Sequence, residues 1–253
     1  MLVNLLLYVM VLLRLWTAGV LVVTGRQNKL TNLYWLAAAF ALFAIGAAFA
    51  PTVGNPLGFL PVSFWLFMVL ALISEFAVIR FVDETFYRGR PSPAPWMYGV
   101  AVVLGATTLY GVAVSAAADQ QHPLVATAQV LVCVVFAWQG WAGYQAWQGV
   151  AKEKTVEDWI KGRYQLVIWY SAFQFVASLA SGVRILGAGG GTGNALGTSM
   201  ALVTLVCNLA TVALAYLAWA APAGFYKWLN RNYKPPEVKE LSEEEVMRQM
   251  MGG

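Results

Sequence analysis

The sequence has few charged residues, and this shortage excludes a soluble protein. Charged residues make up 11% of the 253 residues, apolar residues make up 60%, and the mean hydropathy is +0.63. A soluble domain of this size would lack the polar surface that water requires. A transmembrane barrel is disfavoured as well, because it needs alternating strands of about ten residues rather than longer apolar runs.

Histidine and cysteine are almost missing, which removes most metal and redox chemistry. His122 stands alone, so bis-histidine haem ligation and a histidine metal cluster are excluded. Cys133 and Cys207 lie within apolar runs, where they are expected to act as small hydrophobic residues rather than as a disulfide. The sequence also contains no Gly-x-Ser-x-Gly or His-Glu-x-x-His motif. We therefore expect no metal, no cofactor and no enzymatic activity.

What the sequence does have is seven long apolar runs. Each is about long enough to cross the ~30 Å of bilayer hydrocarbon as a helix. Lipid offers no partner for an exposed strand edge, so helices are the expected form. The sequence predicts an all-α integral membrane protein with a bundle of seven transmembrane helices. The runs cover residues 2–24, 31–50, 60–82, 96–117, 123–149, 164–187 and 196–221.

The basic residues predict the orientation of this bundle. All of the 16 lysines and arginines except Arg14 and Arg184 lie at the end of the first, third, fifth or seventh run or in the segment that follows it. Basic residues resist translocation, which predicts an N-terminus outside and a C-terminus in the cytoplasm, in the plasma or inner membrane of the cell. The net charge of +4 is then explained by topology and by contact with anionic lipids, not by nucleic acid.

The chain divides into a membrane domain, residues 1–230, and a cytoplasmic tail, residues 231–253. In the tail, Ser242 opens a Ser-Glu-Glu-Glu segment that is typical of a capping box and predicts a short amphipathic helix. Its apolar face, which includes Val246 and Met250, needs a surface to lie on. That surface is the protein's own cytoplasmic side, the membrane interface or a protein partner.

Two ionisable residues lie deep within the runs, where buried charge is costly. Arg14 lies midway along the first run and Glu75 in the inner half of the third, at depths that a long side chain can bridge. We predict a buried Arg14–Glu75 ion pair. It either fixes the packing of two helices or takes part in moving a proton or substrate.

Polar residues recur along one face of each of the last three runs. Tyr170 and Gln174 lie on such a face of the sixth run and Asn208 on one of the seventh. These faces should point into the bundle, where they form interhelical hydrogen bonds or line a polar cavity. Gln174 and Asn208 are the strongest candidates for ligand contact because both lie near mid-membrane.

The fifth run ends in a segment rich in tryptophan and glycine. Trp138, Trp141, Tyr144 and Trp147 recur every three residues, with glycine or alanine at the same period. One interpretation is an aromatic belt at the membrane interface. The other is a surface for a lipid tail or a neighbouring helix. We predict that Trp141 and Tyr144 contact a ligand and that Trp138 and Trp147 contact a partner.

Three functions fit these patterns. The first is a non-enzymatic, receptor-like seven-helix sensor that binds an apolar or lipid-like ligand and signals through its tail to a partner protein. The others are an accessory subunit of a larger membrane complex and a small transporter or channel using Arg14 and Glu75. The topology resembles that of receptor-type bundles such as microbial rhodopsins, but the seventh run has no lysine for a Schiff base.

Overall fold

The computed structural model describes residues 2–49, 61–115 and 121–233. Within those ranges all regular secondary structure is helical. The elements are α1 (Leu2–Asn28), α2 (Asn32–Phe49), α3 (Pro61–Phe86), α4 (Ala94–Ser115), α5 (Thr127–Ala151), α6 (Asp158–Ala188), α7 (Ala195–Ala220) and α8 (Ala223–Leu229), with 3₁₀ turns at Pro123–Ala126 and Asn230–Asn232.

Six of these helices, α1 and α3 to α7, are long and apolar enough to cross a membrane. The all-helical membrane-protein class predicted from the sequence is supported to that extent. The helix α2 is apolar but shorter. The seventh span, the orientation of the termini and insertion into a bilayer stay predictions.

The first seven helices form a closed ring in chain order. Each packs against the next, and α7 returns to pack against α1. The helix α3 also contacts α5 directly, so α4 lies on the outside of the ring. Helices that follow one another along the chain are neighbours in space, because the short connectors between them do not let them lie far apart.

The ring has two different ends. At the end where α1 finishes and α2 begins, which we call the basic end, one continuous apolar core fills the bundle; it includes Leu21, Phe81, Val167 and Trp219. At the other end, which we call the glycine-loop end after connector 189–194, the core splits into two clusters. One contains Phe64, Met68, Val125 and Ile185; the other contains Met10, Val11, Ala44 and Leu205.

Small residues allow α5 and α6 to pack closely. A Cβ added to Gly143 would lie 2.9 Å from Val167 Cγ1, and one added to Gly140 would lie 3.2 Å from Ser171 Cβ. Val167 and Ser171 are both buried. The glycines predicted to form packing notches in the fifth run therefore receive side chains of α6.

Helix ends differ from the predicted runs where polar residues continue the helix. The helix α6 begins at Asp158, six residues before the apolar run, and α3 continues to Phe86. An apolar run marks hydrocarbon depth, whereas the helix itself continues into polar surroundings. After α7, Pro222 has an extended conformation and starts α8, a separate helix that the sequence analysis did not predict.

Candidate functional site

A cavity of about 640 Å³ lies inside the ring, between the two clusters of the split core. Side chains from α1, α2, α3, α5, α6 and α7 line it, and at one end it reaches the glycine-rich connector 189–193 and Gln121. Gly189 and Gly190 have positive φ angles of 57° and 78°, which let the chain turn sharply there. Volumes of this order are typical of small-molecule sites.

Most of the lining from α2 and α3 is apolar, and the polar exceptions are Ser74 and Glu75 of α3. Phe43 and Phe67 meet edge to face across these helices, with ring centroids 6.0 Å apart. The apolar lining of the two helices includes Phe40, Phe43, Phe64, Phe67, Met68 and Leu72. This wall suits the hydrocarbon part of a ligand.

Arg14, on α1, is buried to 4% exposure and contacts both α7 and α2. Its Nη2 donates a hydrogen bond of 2.5 Å to Asn208 Oδ1. Its guanidinium carbon lies 4.1 Å from the centroid of the Phe43 ring and 5.5 Å from that of Phe40. An amide dipole and two aromatic faces therefore stabilise the charge, while Arg14 Nε has no partner.

Glu75 also lines the cavity and is buried to 6% exposure. Its Oε2 accepts no hydrogen bond, and no salt bridge joins it to Arg14. The structure thus brings the two predicted partners to one cavity but not into direct ion-pair contact. Asn208 takes the position beside Arg14 that the sequence analysis gave to Glu75.

Gln174 faces the same cavity at a similar depth. Its Oε1 is buried without a hydrogen-bond partner, and the residue is 7% exposed. Counting from the helix ends at the glycine-loop end, Arg14, Glu75, Gln174 and Asn208 are 12, 14, 14 and 13 residues in. At 1.5 Å per residue this places all four roughly 18–21 Å from that end. We call these four residues the polar cluster.

The predicted cavity between the last three helices is therefore part of a larger one. Gln174 and Asn208 lie at it, as the polar periodicity indicated, but α1, α2 and α3 also contribute. Apolar residues such as Phe43, Phe67 and Met68 carried no signal in the sequence, because a cavity wall and a packed core use the same residue types.

Tyr170 lies outside the cavity, in the continuous core of the basic end. It is 1% exposed, and its hydroxyl accepts a hydrogen bond of 2.8 Å from Gln139 Nε2. Ser171 Oγ donates to Gln139 Oε1 at 3.4 Å. Tyr170 therefore joins α5 to α6, and its contact with a ligand stays a prediction at a position outside the cavity.

The aromatic residues of α5 separate into two groups. Trp138 is buried, stacks on Tyr87 at 5.7 Å and donates a 3.1 Å hydrogen bond from Nε1 to the Tyr87 hydroxyl. Its ring is covered by Tyr87, which directly follows α3, and its contact with a partner stays a prediction. Trp141, Tyr144 and Trp147 form a stack on the outer surface, with centroids 5.8 and 6.0 Å apart.

This outer stack is separate from the cavity. Trp141 is 57% exposed and Tyr144 is 37% exposed, and neither lines the cavity. Their contact with a ligand stays a prediction, at a surface outside the cavity. Trp147 stays a candidate for a partner surface, whereas Val246 and Met250 lie outside the described residues.

The chain beyond α7 is anchored at the basic end. Asn230 Oδ1 accepts from the Trp159 backbone N–H at 2.9 Å, and Asn230 Nδ2 donates to Glu157 Oε2 at 2.7 Å. Arg163 lies over the rings of Trp159 and Trp219, at 4.2 and 5.2 Å from their centroids. These contacts join the ends of α6, α7 and α8.

Cys133 and Cys207 are free thiols. Within residues 2–49, 61–115 and 121–233, no group of three or more histidine, cysteine or acidic side chains is placed to hold a metal ion. Searches of protein-family models, curated proteins and solved structures found no match to this chain. No relative therefore indicates the chemistry of this chain, and only its own residues do.

Proposed function

We propose that this chain is a non-enzymatic, receptor-like sensor of seven transmembrane helices that binds a lipid-like ligand in the central cavity. The observation that carries the proposal is the cavity itself, about 640 Å³, whose lining combines apolar side chains of α2 and α3 with the buried polar cluster. A site with this division suits an amphiphile, because each part of the ligand meets a surface of its own kind.

The outer surface supports a place in the plasma or inner membrane. Trp96, Leu12 and Val103, on α4 and α1, are 82%, 66% and 64% exposed. Exposure of this kind around the ring is costly in water and neutral in lipid. The lysine and arginine residues of the connectors support a cytoplasmic basic end and an N-terminus outside.

The connection between cavity and tail supports a signalling role. Asn208 contributes to the polar cluster and lies on α7, the helix that leads to α8 and the anchored Asn230. A ligand that shifts α7 would therefore shift the start of the tail. In this proposal the tail or the Trp147 surface of α5 passes the signal to a separate protein.

Photolabelling tests the ligand site. A long-chain alcohol carrying a diazirine is added to the detergent-solubilised protein, illuminated, and its cross-links are mapped by mass spectrometry. We expect labels on α2, α3 and α6 residues of the cavity. Ala71→Phe places a ring in the cavity and should remove them, whereas Ile73→Phe, at a 46% exposed position outside the cavity, should not. Labels confined to outward-facing side chains in both variants would contradict the proposal.

Cysteine accessibility tests the topology. In a Cys133→Ser/Cys207→Ser background, Glu153→Cys and Gly193→Cys introduce thiols at exposed positions of opposite ends. A membrane-impermeant maleimide should label intact cells through Gly193→Cys alone. Equal labelling of both variants from outside would refute the orientation.

Transport is a second candidate, favoured by the unpartnered Glu75 carboxylate in the cavity. A carboxylate that can exchange protons inside a cavity is a common part of transport sites. In that case Glu75→Gln would abolish proton-coupled flux in liposomes without unfolding the protein. If the protein is a sensor, neither the wild-type protein nor the variant should show flux.

A further inference from the structure

The polar cluster contains three buried atoms whose hydrogen bonding is incomplete. Arg14 Nε–H is a donor without an acceptor, and Glu75 Oε2 and Gln174 Oε1 are acceptors without a donor. The three side chains are 4%, 6% and 7% exposed, and all of them line the cavity. Buried polar groups are nearly always hydrogen-bonded in native proteins, so an occupant of the cavity is expected to complete these bonds.

The missing bonds specify what the occupant must offer. It needs at least one N–H or O–H for Glu75 and one acceptor for Arg14. Rotating the Gln174 amide exchanges its donor and acceptor, and in either orientation the cluster still requires both functions. A hydrocarbon alone therefore leaves the cluster unsatisfied, and so does a head group that only donates or only accepts.

Charge balance restricts the head group further. Arg14 and Glu75 are the two charged members of the cluster, and their formal charges cancel. Arg184 also lines the cavity, but it lies ten residues further along α6 than Gln174, roughly 15 Å closer to the glycine-loop end. A carboxylate or ammonium head would leave the site with a net charge at a depth where charge is strongly disfavoured. An uncharged head keeps the balance.

We propose that the cavity binds an uncharged amphiphile with a carboxamide-type head, which donates to Glu75 and Gln174 and accepts from Arg14. The inference rests on the proposed ligand-binding function and specifies its ligand class. A primary amide has two N–H donors and one carbonyl acceptor, which matches the three incomplete atoms in number and kind. Its alkyl chain lies along the apolar wall of Phe43, Phe67 and Met68.

Competition against the diazirine alcohol tests the head group. Decanamide, 1-decanol, decylamine and decanoate share one chain length and differ in the head; their concentrations are compared as mole fractions in the micelle at pH 7. We expect decanamide to displace the probe at a concentration about tenfold below that of decylamine or decanoate, and several-fold below that of decanol.

Glu75→Gln removes the negative charge of the cluster and nearly keeps the shape of the side chain. The cluster then carries a net positive charge, so decanoate should gain about tenfold relative to decanamide. Glu153→Gln removes an equal charge from an exposed connector and should leave the order unchanged. Gln174→Leu removes one partner without changing the charge and should abolish the preference for amide over alcohol. Thermal unfolding of each variant verifies the fold.

The outcomes separate the two proposals. If the diazirine probe does not enter the cavity of the wild-type protein, ligand binding itself fails. If the probe enters but the four heads compete equally, water completes the cluster and the carboxamide inference is overturned. A wild-type preference for decanoate or decylamine overturns it as well, and so does an unchanged order in Glu75→Gln.

Discussion

The energetic link between Arg14 and Glu75 can be measured because the two side chains share a cavity without touching. Arg14→Met removes the guanidinium and keeps much of the side-chain length. Glu75→Gln removes the negative charge and keeps the shape. Each single variant leaves one charge buried without its counter-charge, whereas the double variant leaves neither. We therefore expect the double variant to lose less stability than the sum of the two single losses.

The structure bounds the size of this coupling. No salt bridge joins the two side chains, so their closest N–O distance exceeds 4.0 Å. Two unit charges 4 Å apart attract by about 4 kcal/mol at an effective dielectric constant of about 20, which sets an upper limit. We expect a coupling of about 1–3 kcal/mol, within the range that double-mutant cycles report for interacting residues.

Arg14→Met should cost more than Glu75→Gln. It also removes the hydrogen bond to Asn208 and the contact with the Phe43 ring at 4.1 Å. A hydrogen bond to a charged group contributes about 1.5–3 kcal/mol and a desolvated cation–π contact about 2 kcal/mol. Glu75 has no hydrogen bond to lose.

Unfolding in mixed micelles with increasing sodium dodecyl sulfate, followed by circular dichroism, gives the four free energies of the cycle. A coupling below about 0.5 kcal/mol would mean that the two charges do not sense one another. That result would refute the charge-balance argument for an uncharged ligand. It would also refute the energetic coupling between Arg14 on α1 and Glu75 on α3.

Three further predictions concern packing and hydrogen bonding, and all are measured by the same unfolding assay. Gly143→Ala should destabilise the bundle by about 1–3 kcal/mol, because its Cβ would meet Val167 at 2.9 Å, whereas Gly149→Ala has no neighbour within 4 Å and should be nearly neutral; equal effects would contradict the proposed packing. Gln139→Leu should cost about 1–3 kcal/mol by leaving the Tyr170 hydroxyl without its donor, and adding Tyr170→Phe should recover part of that loss; no recovery would count against it. Asn194→Ala should cost about 1 kcal/mol, since its side chain caps α7, and an unchanged stability would exclude that role.

The positions of the helices could be predicted because the signal is a sum over many residues. Each apolar run falls on one helix, with ends shifted by a few residues. The polar positions Gln174 and Asn208 could be assigned to the interior for a related reason, since an amide in lipid needs an internal partner. Both arguments depend on residue type and depth alone.

Pairings between helices could not be predicted in the same way. The sequence showed that Arg14 and Glu75 lie at the same depth. It did not show the direction in which each helix points its side chains, and that direction places Arg14 against Asn208. The direction in which Trp138 points was hidden for a similar reason. Residues spaced by three spread around a helix, so the pattern that placed Trp138 and Trp141 together did not show that one faces α3 and the other faces outward.

The position of α4 on the outside of the ring has a consequence for how the sequence of such a protein can vary. Because α3 contacts α5 directly, α4 stays outside the cavity, and none of the lining side chains that the structure describes comes from α4. Substitutions on its outer face therefore alter how the molecule meets its surroundings while the cavity keeps its shape. The outer surface of the fold can thus change in sequence while the side chains that line the cavity stay the same.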